Sequence, residues 1–206
     1  MLLAVSISAA LVAYAPCTKS FAAHSNTRSA INTAHMKVGL VYSTSTGCTE
    51  TVAGYISAEI GVEAVDIDDI TADEMLACDG LIIGSPTWHT DADTERTGTS
   101  WDEFLYDDLT SMDLSGKKVA VFGLGDQGGY GDNFADAMDE LATCFKAQGA
   151  DLIGLYMDDK YDYMASKSIW DGKFCGLACD ETNQAELSEE RVKSWVAQLK
   201  NEGMPI

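Results

Sequence analysis

From Val38 onward the chain alternates, five times over, between a short apolar run and a stretch with apolar residues at helical spacing. The runs are Val38–Tyr42, Val62–Ile67, Gly80–Gly84, Val119–Gly123 and Leu152–Met157. Between them, Val52, Ile56 and Ile60 share one face of a helix predicted over Glu50–Ile60, and Thr71–Ala77 reads as a short helix. Trp101, Phe104 and Leu105 are spaced i, i+3, i+4, and Phe134, Met138, Leu141 and Phe145 predict a helix ending near Gly149. Val192, Trp195, Val196 and Leu199 predict a last helix, with Ser188 as its cap and Leu187 and Val192 as a hydrophobic staple. Continuous apolar strands are buried on both faces, which requires a parallel sheet with helices on each side and right-handed crossovers. The expected fold is therefore α/β, doubly wound, with five parallel strands. Asp158–Asp171 is polar and aromatic, and Lys173–Ala178 follows as another short strand. An insertion that splits the fifth strand accounts for both.

Charge is unevenly distributed. The 206 residues include 13 Lys and Arg against 33 Asp and Glu, a net charge of −20. Such a surface repels phosphate backbones and anionic lipid, so nucleic-acid and membrane-surface partners are not expected. No acid precedes Glu50. Met1–Ala15 is uncharged and too short for a span of ~20 residues, and it carries Ala13 and Ala15 in an A-x-A arrangement. The Ser, Thr and Ala-rich stretch after it has the composition of a transit peptide. Residues 1–36 are accordingly expected to be a removable targeting leader, signal plus transit, and residues 37–206 the functional domain. The six cysteines include no C-x-x-C pair, and the expectation is reduced, mostly buried thiols, with Cys17 lost in the leader.

In an open parallel sheet, ligands bind beyond the carboxyl ends of the strands, so three loops matter most. Ser43–Thr49 follows the first strand and offers five hydroxyls, one glycine and no Lys or Arg. Backbone N–H groups at a helix N-terminus, with hydroxyl donors, suit a single phosphate monoester. A triphosphate site would need a lysine-bearing Walker A loop. Ser85–Thr90 places Trp88 just past the third strand, where an indole can cover a flat heterocycle; His89 reads as a loop residue. Gly123–Tyr130 contains a G-x-G-x-x-G, but after the fourth strand rather than the first, so a dinucleotide is not expected. Its glycines admit backbone close to a ring edge, and Tyr130 supplies a second aromatic face. One uncharged phosphate cradle, two aromatic plates and a glycine-rich edge describe a flat phosphorylated ring system, and flavin mononucleotide (FMN) fits best.

The segments VGLVYSTSTGCTETVA, LIIGSPTW, FGLGDQGGYGDNF, DGKFCGLACDETNQ and ERVKSWVAQLK occur in order between Lys37 and Lys200. In these the chain resembles the flavodoxins, specifically the long-chain type of cyanobacteria and algae. The resemblance implies the strand order 2-1-3-4-5, which is the family's own. It also implies non-covalent FMN, with the phosphate on Thr44, Ser45, Thr46, Gly47, Cys48 and Thr49. The ring system would lie between Trp88 and Tyr130. Main chain at Thr87, His89, Thr90, Leu124, Gly125, Asp126 and Asn133 would meet its edges, with Pro86 also among the cofactor-binding residues. Cys48, Asp91, Leu124 and Thr182 depart from residues frequent in that family, and positions 91–100 hold extra residues. These differences bear on redox poise.

No activated nucleophile, His–acid dyad or metal cluster stands out, so the expected activity is one-electron transfer without substrate turnover. Asp91, Asp126 and Asp132 lie in the binding loops and disfavour an anionic reduced flavin, which implies a strong low-potential donor. By resemblance the partners are photosystem I and ferredoxin–NADP reductase. The protein would stand in for ferredoxin under iron limitation, in the plastid stroma and as a monomer. Three other readings remain open from the sequence. One is an FMN-dependent NAD(P)H:quinone reductase on the same fold, and another an FMN storage module. The third, a phospho-acceptor receiver domain, wants acids where Tyr42-Ser43 stands.

Overall fold

The computed structural model describes residues 38–206. The expected leader, Cys17 and Lys37 lie outside the described residues. In chain order the elements are β1 (Val38–Tyr42), α1 (Cys48–Ile60), β2 (Ala64–Asp66), α2 (Ala72–Leu76), β3 (Gly80–Ser85), α3 (Trp101–Tyr106) and β4 (Lys118–Leu124). They continue with α4 (Ala137–Ala147), β5 (Asp151–Ile153), β6 (Ile169–Trp170), β7 (Lys173–Phe174), β8 (Leu177–Cys179) and α5 (Ala185–Asn201). The main sheet runs β2-β1-β3-β4-β5, all parallel, and β8 also pairs with β4.

Side chains alternate across each strand, and the sequence of β3 and β4 supplies a large apolar group at most positions. Leu81, Ile83, Val119 and Val121 face one cluster, shared with Trp101, Leu105, Leu141 and Phe145 of α3 and α4. Leu40, Ile82, Ala120 and Phe122 face the other, shared with Val52 and Ile56 of α1 and Val192, Trp195 and Leu199 of α5. The two fully buried tryptophans keep their polar atoms paired. Trp101 Nε1 donates to Gly84 O at 2.9 Å and Trp195 Nε1 to Gly154 O at 2.8 Å. Burial of each indole without its partner would forfeit about 1–3 kcal/mol.

The fifth strand is split, as the sequence implies, but the split is wider. β5 pairs with Lys118–Ala120 and β8 with Phe122–Leu124, so two short segments share the edge of one long strand. The chain leaves at Gly154, whose φ is +84° and whose absent Cβ would sit 2.6 Å from Leu199 Cδ2. It returns at Gly176, where a Cβ would lie 1.9 Å from the Val121 carbonyl oxygen. The expected strand Leu152–Met157 thus stops at Ile153, and the excursion is 154–176 rather than Asp158–Asp171. Of the expected strand Lys173–Ala178, Lys173–Phe174 belongs to an antiparallel hairpin with β6.

Other boundaries move for local reasons. α1 begins at Cys48, two residues early. Thr71 caps α2 through a capping box with Glu74 instead of starting the helix. β2 is shorter than Val62–Ile67, because Ile67 enters a 3-10 turn in which the Asp66 side chain accepts from Asp68 N. Phe134 precedes α4 in extended backbone and reaches the core from a loop. Ser188 is buried inside α5 and does not cap it, so the expected staple does not form. The turn after β8 starts that helix early: Gln184 N donates to Asp180 O at 3.0 Å.

Asp180 also fastens this turn to the loop after β4. It is fully buried. One oxygen accepts from Gln127 N, Gln127 Nε2 and Asn183 Nδ2 at 2.9, 3.1 and 2.8 Å. The other accepts from Thr182 N and Asn183 N at 2.9 and 2.8 Å. Burial alone would raise its pKa, but these bonds outweigh it and hold the carboxyl below its usual 3.8. A depressed folded-state pKa stabilises the fold above the unfolded-state value, and the benefit disappears as pH falls through the folded one. Asp180→Asn is therefore expected to lower stability at pH 7 in urea unfolding. Its deficit against the unmodified protein should shrink as pH drops below about 3.8; a deficit independent of pH would contradict this.

Candidate functional site

The strand order reverses between β1 and β3, and the cleft opens there, at the carboxyl ends of β1, β3 and β4. It encloses about 170 Å³ accessible to water-sized molecules. Its walls are Thr46, Cys48, Pro86, Thr87, Trp88, Thr90, Leu124, Gly125, Asp126, Tyr130, Asn133 and Thr182. Eleven of these are expected site residues. Thr182 joins them from the turn after β8. Its proximity comes from the Asp180 network, and its only mark in the sequence is its place in the DETNQ segment.

The first loop feeds α1 through Gly47, whose φ of +88° suits glycine and whose surroundings are open. Gly47 N is satisfied by Thr44 Oγ1 at 2.9 Å, but α1 has no side-chain cap. The helix therefore presents its first N–H groups without intrahelical partners, and its dipole adds partial positive charge. Ser45 and Thr46 are exposed. Thr49 is buried and its Oγ1 has no hydrogen-bond partner in the protein. The same holds for Ser85 Oγ at the end of β3. The unpaired Thr49 hydroxyl beside the orphan amides of α1 makes a donor set that an incoming anion would satisfy. Thr44, Ser45, Gly47 and Thr49 do not line the main cleft but occupy this adjoining turn.

The second loop is a closed ring of backbone. Trp88 N and His89 N both donate to Arg96 O, at 3.0 and 3.2 Å. Gly98 lies against Trp88, and a Cβ there would come within 2.7 Å of Trp88 Cβ. His89 stands outside the cleft, its Nδ1 2.5 Å from Glu95 O and 4.0 Å from the Asp102 carboxylate. Trp88 is 48% exposed and Tyr130 58%, so both rings are free to cover a ligand.

The loop's anchor is Glu140, a buried carboxylate on α4 that sequence reading passes over as an ordinary helix residue. It accepts from Glu95 N at 2.7 Å, Arg96 N at 2.8 Å and Tyr106 Oη at 2.5 Å. Burial and this contact push the Tyr106 phenol well above its usual range. Arg96 in turn reaches Asp139 at 2.8 Å. These partners lie 34 to 45 residues apart in sequence, so no local pattern signals them.

In the third loop, a Cβ on Gly125 would sit 2.6 Å from Ala135 N, so only glycine admits this approach. Asn133 Nδ2 donates to Asp91 Oδ1 at 3.0 Å, joining the second and third loops. Asp91 holds a φ of +63°, a strained conformation for a side-chain-bearing residue. Among the described residues, no basic side chain lines the cleft, while Asp126 does.

The cysteines among the described residues are free thiols: Cys48, Cys78, Cys144, Cys175 and Cys179. Burial pushes Cys175 and Cys179 up to about 12, which leaves them protonated and unreactive.

A family model described as flavodoxin matches residues 40–195. A flavodoxin of Synechococcus elongatus is 45% identical over 170 residues, covering 81% of this chain and 97% of that protein. Flavodoxin 2 of Escherichia coli is 41% identical over 172 residues, with 81% and 96% covered. A Fusobacterium nucleatum flavodoxin, solved bound to flavin mononucleotide, superposes with a TM-score of 0.73 at 28% identity, covering 80% of this chain and 97% of that one. The matched span runs from β1 into α5 and holds all three cleft loops, so the chain belongs to the flavodoxin family.

Proposed function

We infer that this cleft holds FMN and that the chain is an electron carrier. The observation that carries the cofactor assignment is Thr49 Oγ1, buried without a partner at the uncapped start of α1. The N–H groups of the 44–49 turn and the Thr hydroxyls would hold the phosphate. Trp88 and Tyr130 would cover the ring faces, and backbone at Thr87, Thr90, Leu124, Gly125 and Asp126 would meet the ring edges. Asn133 fixes the relation of the two edge loops through Asp91. Bound FMN supplies one-electron chemistry. The chain's part is to exclude water from the ring faces and to present backbone carbonyls near His89–Asp91 to a proton at N5. With Asp126 in the cleft and no Lys or Arg among the described residues that line it, the site disfavours added negative charge on the ring. That makes the carrier a low-potential donor.

The finer reading is a long-chain flavodoxin of a plastid stroma, delivered there by residues 1–36 and working as a monomer. It would take electrons from photosystem I and pass them to ferredoxin–NADP reductase in place of ferredoxin when iron is scarce. The net charge of −20, the 154–176 excursion and the acid-free first segment support this reading. Basic docking faces on both partners would be steered by that field.

Thr49→Val should leave the cofactor-free protein as stable as before, since it removes an unpaired buried hydroxyl. FMN affinity should fall by about 10-fold or more, the worth of a hydrogen bond to a charged group, while riboflavin affinity stays unchanged. Fluorescence titration with both ligands checks this, and equal losses for the two would remove the phosphate assignment. Trp88→Ala and Tyr130→Ala should each weaken both ligands by about 1–3 kcal/mol, the scale of ring stacking. Stopped-flow mixing with ferredoxin–NADP reductase should show association slowing several-fold between low and 0.5 M salt. A salt-independent rate would argue against electrostatic steering.

A further inference from the structure

Among the described residues, the large hydrophobic side chains left exposed are Trp88, Tyr106, Tyr130 and Met164. Tyr106 is accounted for by its bond to Glu140. Trp88 and Tyr130 belong to the cleft. Met164 is 80% exposed, the most of the four, and neither lines the cleft nor packs on the core. Its place is nonetheless well defined. Met164 N and Ala165 N both donate to Gly131 O at 2.9 Å, and Phe134 N donates to Ala165 O at 3.3 Å. Asp162 N donates to Gln127 Oε1 at 2.7 Å. The neighbouring aromatics turn inward: Tyr163 stacks on Phe134 at 5.5 Å, and Tyr161 packs edge-on against Phe174 at 5.0 Å. Met164 alone of this trio points to solvent, with its Cγ against Gly131, the residue after Tyr130.

Single exposed apolar groups are ordinary, but Met164 lies against Gly131, the residue after the exposed, cleft-lining Tyr130, so two exposed apolar groups adjoin beside the cleft. Met164 is held on a pinned backbone, so little chain entropy opposes its burial. Its unbranched side chain adapts to the surface it meets. The exposed carboxylates Asp132 and Asp162 stand on the same two loops. The nearby cations are engaged: Lys160 pairs with Glu190 at 3.7 Å, and Lys167 Nζ donates to Ala92 O at 2.9 Å.

We propose that Met164, carried by the excursion from the fifth strand, is the apolar anchor of a docking surface at the cleft mouth. The partner it fits is a redox protein whose electron-exchanging face is an apolar depression ringed by Lys and Arg. The carboxylates steer the approach, and Met164 fills the depression and sets the lifetime of the complex. This rests on the electron-carrier reading, and it gives the excursion a role in recognition.

The test uses the FMN-loaded chain and ferredoxin–NADP reductase, with binding measured by surface plasmon resonance and electron transfer by stopped flow. Met164→Ala should raise Kd about tenfold, mainly through faster dissociation, the scale expected for losing a buried Met side chain. FMN affinity and the salt dependence of association should not change. Met164→Leu should restore most of the affinity. Asp162→Asn should slow association and flatten its salt dependence, leaving dissociation nearly unaffected. If the unmodified protein binds and Met164→Ala binds equally well, the anchor is overturned while the carrier reading stands. If the unmodified protein does not bind the reductase at any salt, the partner assignment falls and the anchor falls with it. A loss in Met164→Ala matched by a loss of FMN would instead show Met164 supporting the cofactor loop, and would also overturn the proposal.

Discussion

Burial of one parallel sheet on both faces is the constraint from which the site follows. With α1 and α5 on one side and α3 and α4 on the other, neither sheet face of β1, β3 or β4 is open to a ligand. Only the strand ends remain. Helices begin where strands have just ended, so unpaired N–H groups collect at that rim. The cleft is thus a by-product of the packing, and its chemistry is set by which loops the sequence places there.

What those loops contain is a balance between neutral attraction and negative repulsion. In the proposed site, the 44–49 turn offers an anion amides and hydroxyls alone. Asp126 on the cleft wall, and the charge of the whole chain, oppose any further anion nearby. A phosphate is a fixed anion, gripped at short range by directed hydrogen bonds, so it tolerates the field. A ring whose charge changes with its redox state feels that field in the energy of the change itself. Under the proposed assignment, the same arrangement retains the cofactor by its tail and tunes it at its head.

The excursion from the fifth strand has a structural logic of its own. It leaves at Gly154 and returns at Gly176, both positions where a side chain would collide with the body of the protein. Between them it lays Tyr161, Tyr163 and Phe174 around Phe134, the residue that closes the loop bearing Tyr130. Arg191 of α5 holds its start, 2.7 Å from Asp158 and stacked 4.0 Å from the Tyr161 ring centre. The excursion is thereby part of the wall behind the third loop, and Met164 on its outer edge is left exposed.

Periodicity alone specified the alternation of strands and helices, because burial on both faces needs runs such as VGLVY and VAVFG whatever surrounds them. Residue chemistry specified the character of the three loops: hydroxyls and glycine after β1, Trp88 after β3, glycines and Tyr130 after β4. Family resemblance supplied the strand order that hydrogen bonding displays. Tertiary structure decided the rest. That Phe134 lies before its helix, that Ser188 sits inside one, and that the fifth strand breaks at Gly154 depend on partners far along the chain. So do Glu140 clamping the Trp88 loop and Asp180 bringing Thr182 to the cleft. A buried carboxylate takes its meaning from the donors that surround it, and those donors become neighbours only once the chain has folded.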